Sequence, residues 1–133
     1  MKTFFLVLGL SLSFLIVKGQ EQVTLELKIE NIREEGTLMI AVFDSQKNWN
    51  KKCKPVVSIA KKVKVGSKKV EFKIPIGKYG IATFIDTNQN RFYDYGKEWY
   101  AFSNQYVPKE NPTFNHFAIE VNQNEKIIMK MIK

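Results

Sequence analysis

The chain has one cysteine, one histidine and three aspartates among its 133 residues. A single thiol excludes an internal disulfide framework and any multi-cysteine zinc or iron–sulfur centre. A single imidazole excludes a histidine-rich metal site. G-x-S-x-G, H-E-x-x-H and Walker-type glycine loops are all missing, and with them the commonest hydrolase, metalloprotease and nucleotide-binding constellations. Apolar residues at helical spacing are missing as well. What is present is ordinary for a globular fold: 44% hydrophobic and 26% charged residues. That balance excludes wholesale disorder, collagen-like repeats and a multi-pass membrane protein, and the length is that of one domain.

The first residues read as a leader. Lys2 gives a positive start, Phe4 to Val17 is an apolar run, and Val17-Lys18-Gly19 offers small residues where a signal peptidase reads. A run of about fourteen residues is short of the roughly twenty that span a bilayer. The expectation is a signal peptide over 1–19 and a single β-sandwich domain over 20–133, exported to the periplasm or the exterior of a bacterium. The alternative is an uncleaved N-terminal anchor. After processing no transmembrane segment is expected, and a monomer is. Cys53, flanked by Lys51, Lys52 and Lys54, reads as an incidental thiol or, with His116 as base, a reactive one.

The mature chain alternates. Val23, Leu25, Leu27 and Ile29 are interleaved with Thr24, Glu26, Lys28 and Glu30, which is the period of a half-buried strand. Further strands are expected at Thr37 to Phe43, Val57 to Val65, Val70 to Ile74, Tyr79 to Ile85, Phe114 to Val121 and Ile127 to Ile132. Gln46 to Pro55 reads as a loop holding one helical turn around Trp49. Asn122 to Glu125 reads as a tight hairpin joining the last two strands. The fold class is therefore all-β: a seven-stranded antiparallel β-sandwich with one long loop of functional character, Asp86 to Asn111. A loop of that length in a compact domain usually carries function.

Within it, Asp86-Thr87-Asn88-Gln89-Asn90-Arg91-Phe92-Tyr93-Asp94 has the form D-x-N-x-N-x-x-x-D, followed by Lys97-Glu98-Trp99-Tyr100-Ala101-Phe102-Ser103-Asn104. This order, behind a leader and an N-terminal strand pair, resembles an exported bacterial family catalogued as domain of unknown function 2141. The resemblance runs from about Leu25 to the C-terminus. It implies a small all-β sandwich of the immunoglobulin-like or transthyretin and carboxypeptidase-regulatory kind, with no established activity. This chain departs from the family pattern at Ile85, Arg91 and Ala101, and is shorter between Asp94 and Gly96.

The loop's own chemistry suggests calcium. Counting Asp86 as the first position, oxygen ligands fall at Asn88, Asn90, the Phe92 carbonyl and Asp94, with Glu98 one residue beyond the usual bidentate position. Arg91 occupies the place where the turn prefers glycine. The competing reading is a metal-free turn closed by Asn and Asp side chains. Trp99, Tyr100, Phe102, Ser103 and Asn104 are candidates for binding a glycan or protein ligand, or else a local apolar cap. Lys61, Lys62, Lys64, Lys68, Lys69 and Lys73 read as a solvated face or an anion-binding patch. No nucleic-acid motif is present.

These features favour a non-enzymatic binding module. The alternatives are a glycan-acting or other hydrolase using Asp86, Asp94 and Glu98, and a purely structural envelope domain. The leader makes a direct prediction: the intact mass of the exported protein corresponds to a chain starting at Gln20. Recovery of the full-length chain in the membrane fraction would contradict it.

Overall fold

The computed structural model describes residues 21–51 and 54–133. The expected signal peptide, Lys52 and Cys53 lie outside the described residues. In chain order the elements are β1 (Gln22–Ile32), β2 (Gly36–Phe43), α1 (Gln46–Lys51), β3 (Val57–Val63), β4 (Gly66–Pro75), β5 (Gly77–Asp86), β6 (Tyr100–Phe102), α2 (Phe114–Phe117), β7 (Ala118–Val121) and β8 (Glu125–Lys130). They form a sandwich of a three-stranded sheet, β4-β1-β8, and a five-stranded sheet, β3-β2-β5-β6, in which β7 also pairs with β5.

The alternation seen in sequence produces the core. Leu25, Leu27 and Ile29 of β1 are fully buried against Leu38, Ile40 and Val42 of β2 and Ile81 and Ile85 of β5. Each such side chain contributes roughly 1.5–3 kcal/mol by leaving water. The opposite face of β1 carries Thr24, Glu26, Lys28 and Glu30 to solvent. There Lys69 and Lys73 flank Glu71, which pairs in register with Glu26, so these lysines belong to a mixed-charge face.

A second core sits on the outer face of the five-stranded sheet. Phe43, Trp49, Phe114 and Phe117 pack there over Ala41 and Ala82. Trp49 meets Phe43 and Phe117 edge-on at 5.2 and 5.0 Å between centroids. Its indole N–H donates to the Pro112 carbonyl at 3.0 Å. Small residues on the sheet let the helices approach. A Cβ on Gly80 would lie 2.5 Å from Phe117 Cε2 and 2.8 Å from Cδ2.

Four features differ from the sequence reading. There are eight strands rather than seven, because Tyr100–Phe102 pairs with β5 inside the long loop. The sheets are not wholly antiparallel, since β8 runs parallel to β1. Asn122 to Glu125 is not a hairpin: β7 and β8 belong to different sheets, and Asn124 Oδ1 accepts the Thr24 N–H at 2.8 Å to anchor the crossing. Phe114 to Phe117 is a helical turn rather than strand. A strand would place Phe114 and Phe117 on opposite faces, whereas one turn of helix sends both into the second core.

Gly80 therefore carries a prediction. Gly80→Ala, which in an open strand costs nothing, should destabilise this domain by about 1–3 kcal/mol because the aromatic ring behind it must move. Urea unfolding measures it; an unchanged midpoint would contradict the packing described.

Candidate functional site

The long loop leaves the C-terminal end of β5 at Asp86, which is 2% exposed. Strand β2 approaches its backbone closely: a Cβ on Gly36 would fall 2.7 Å from the Asp86 carbonyl oxygen. Asp86 Oδ2 accepts the Arg91 N–H at 2.8 Å. Asp86 Oδ1 is buried with no hydrogen-bond partner. Asp94 closes the other side: Asn88 Nδ2 donates to its Oδ2 at 2.6 Å, and Asn90 Nδ2 reaches its two oxygens at 3.3 and 3.2 Å. Asx turns shape the path between them, with Asn88 Oδ1 accepting Asn90 N–H at 3.1 Å and Asn90 Oδ1 accepting Phe92 N–H at 2.9 Å. Gln89 and Arg91 take left-handed conformations, φ 61° and 68°. Arg91 thus adopts the backbone that made glycine the expected residue there.

Glu98 is 1% exposed and is spent on the loop's neck. Its Oε2 accepts the Thr87 N–H at 3.0 Å and hydroxyl at 3.3 Å, and its Oε1 accepts the Asp94 N–H at 2.9 Å. The carboxylate thus ties the second residue of the loop to the ninth. Neither Asp86, Asp94 nor Glu98 has a basic partner; the ion pair among the described residues is Lys28–Glu30, at 3.3 Å. The Arg91 and Lys97 side chains are exposed. No group of three or more His, Cys, Asp or Glu residues is placed to hold a metal among the described residues, so any cation here needs amide and carbonyl oxygens as well.

The aromatic candidates divide: Tyr100 and Phe102 are in ring contact, whereas Trp99 packs elsewhere. Trp99 packs against the main core, with Lys133 Nζ 5.7 Å from its ring centroid. Phe102 joins the second core, 4.8 Å from Phe117. Tyr100 lies between Phe102 and Tyr93, at 5.9 and 5.6 Å. Burial pushes the Tyr93 and Tyr100 hydroxyls above the ordinary tyrosine value. Ser103 is fully buried, donating to the Phe117 carbonyl at 2.5 Å and accepting the Ile81 N–H at 2.9 Å. Asn104 is exposed and donates to the His116 carbonyl at 3.3 Å. These two side chains brace the loop on β5 and α2. His116 lies in α2 and stacks on Tyr106 at 4.8 Å.

A family model described as an uncharacterised protein conserved in bacteria (DUF2141) matches residues 27–129. The chain belongs to this family. The match covers both sheets and the whole Asp86 loop, so the loop is part of the DUF2141 domain. No match was found among curated proteins, and none among solved structures.

Sequence reasoning grouped Glu98 with the possible calcium ligands and gave it no structural duty. The signal available was its position: an acid just after a D-x-N-x-N-x-x-x-D run, where it can receive the loop's own N–H groups. Glu98→Ala leaves the Thr87 and Asp94 N–H groups without acceptors, and each such loss costs about 1–3 kcal/mol. Loss of roughly 2–4 kcal/mol in thermal or urea unfolding is expected; a change below about 0.5 kcal/mol would contradict the clamp.

Proposed function

We propose that this DUF2141 domain is an exported, non-enzymatic binding module whose Asp86–Asp94 loop is organised by calcium. One observation carries the reading: Asp86 is buried, and one of its carboxylate oxygens has no partner. A buried charge without a counter-charge costs several kcal/mol, and a cation at that oxygen offsets it. Asp94 and the Asn88 and Asn90 side chains are already joined to one another in the same loop.

The ligand set is Asp86 Oδ1, Asp94, the Asn88 and Asn90 side-chain oxygens and the Phe92 carbonyl. Glu98 holds the frame from behind. Hard oxygen donors of this kind suit calcium, and magnesium much less, because magnesium demands a tighter octahedron and gives up water reluctantly. Asn88 and Asn90 donate from Nδ2 to Asp94 and accept backbone N–H groups on Oδ1, so turning both amides toward a cation gives up both sets of bonds. With two formal charges in the set, affinity on the order of 0.1–1 mM follows, in the range of extracellular modules. Export and a monomeric state fit a site tuned to such concentrations. The burial of Asp86 and Glu98 supports a binding role over the hydrolase reading, which needs those carboxylates open to substrate.

Metal binding to the folded state stabilises it by RT ln(1 + [L]/Kd). For a Kd of about 0.3 mM and about 10 mM calcium the gain is roughly 2 kcal/mol, or roughly 6–10 °C in Tm for a domain of this size. The double variant Asp86→Asn, Asp94→Asn should lose that shift, and its metal-free melt should lie no lower than the wild type's, because the unpaired buried charge is gone. A wild-type shift below about one degree would overturn the calcium reading.

A further inference from the structure

The two outward faces of the sandwich differ in chemistry. On the three-stranded sheet, Glu26 and Lys28 of β1 stand opposite Glu71 and Lys69 of β4, so that face is charged. On the five-stranded sheet, register places Ala60 of β3, Met39 of β2, Phe84 of β5 and Tyr100 of β6 in one row across four strands. Each alternates with a residue of the main core (Ile59, Leu38, Ile85 and Ala101), so the row faces outward. Ala60 is exposed and the other three are half-buried. The second core covers the neighbouring row, at Ala41, Ala82 and Phe102. Two loop tyrosines extend the open row. Tyr93 meets Phe84 and Tyr100 edge-on at 5.8 and 5.6 Å, and Tyr95 meets Tyr93 at 6.4 Å. Tyr95 is 89% exposed.

We propose that this face binds an uncharged polysaccharide chain. Three observations select that occupant. The row is linear: four strands at about 4.8 Å spacing make it about 14 Å long, which suits an extended ligand. None of its six side chains is ionised near neutral pH, in contrast to the opposite face of the sandwich, so the ligand is neutral. Three of its four rings carry a phenol hydroxyl, which both donates and accepts. A sugar chain repeats that combination, with C–H faces to stack on rings and hydroxyls that also donate and accept. A polyproline segment offers carbonyl acceptors only. The inference deepens the binding-module reading by naming a ligand class. It does not rest on calcium, because ring contacts seat Tyr93 on Phe84 and Tyr100.

Isothermal titration in EDTA with cellohexaose, xylohexaose, mannohexaose and laminarihexaose should show saturable one-to-one binding of at least one. Calcium-induced stabilisation is read separately, so either reading can fail alone. The binding should persist in about 1 M NaCl, because no charge enters it. The disaccharide of the same series should bind at least about tenfold more weakly, since it spans only part of the row. Tyr95→Ala and Ala60→Lys, both at exposed positions where the melt should stay intact, should each weaken binding about tenfold. The first removes a ring, and the second lays an ammonium group across the row. Binding of none of the four sugars, binding abolished by salt, or binding undiminished by both variants would each overturn the proposal. So would saturation by a proline decamer in a protein that ignores the sugars, or a concentration-dependent dimer in such a protein that Ala60→Lys abolishes.

Discussion

Two carboxylates buried within one loop, with no basic side chain among the described residues paired to either, set the terms for this molecule. Asp86 and Glu98 are 2% and 1% exposed. A folded domain keeps such groups only where hydrogen bonds or a cation compensate their lost hydration. Glu98 is compensated by three donors from Thr87 and Asp94. Asp86 is compensated on one oxygen only. The asymmetry separates the two residues: Glu98 is a strut, and Asp86 keeps one buried oxygen without a hydrogen-bond partner.

The fold explains why that asymmetry sits where it does. Strand β5 runs through the middle of the larger sheet and is covered on both faces, by the sandwich core on one side and by the Trp49 cluster on the other. Its register with β2 fixes Asp86 opposite Thr37, and a side chain at Gly36 would collide with the Asp86 carbonyl. The loop is thus hung from a rigid point and tied again at Thr87. After β6 the same connection is braced by Ser103 on β5 and turned outward at Asn104 and Gln105. One long connection is thus anchored both at its start, through Glu98, and at its end, through Ser103.

The amino-acid sequence made most of the scaffold legible, because period-two alternation at Val23 to Ile29 and Val70 to Ile74 is set by local geometry alone. Partner choice was not legible. Nothing in Ile127 to Ile132 distinguishes a strand that returns to β7 from one that crosses to lie parallel with β1. The helical turn at Phe114 was hidden for a related reason: its apolar residues need the Trp49 cluster, which assembles from segments far apart in the chain. Within the long loop, Asn88, Asn90 and Asp94 were legible from spacing as a turn closed by its own Asn and Asp side chains. The buried clamp of Glu98 and the separation of Trp99, on the main core, from the Tyr100–Phe102 pair depend on tertiary packing, which spacing does not encode.

The most direct measurement is a crystal structure grown in calcium. The account predicts a peak about 2.3–2.6 Å from Asp86 Oδ1 and from Asp94, with the Asn88 and Asn90 amides turned so that their oxygens face it. A water bonded to Asp86 Oδ1, with both amides still donating to Asp94, would contradict it.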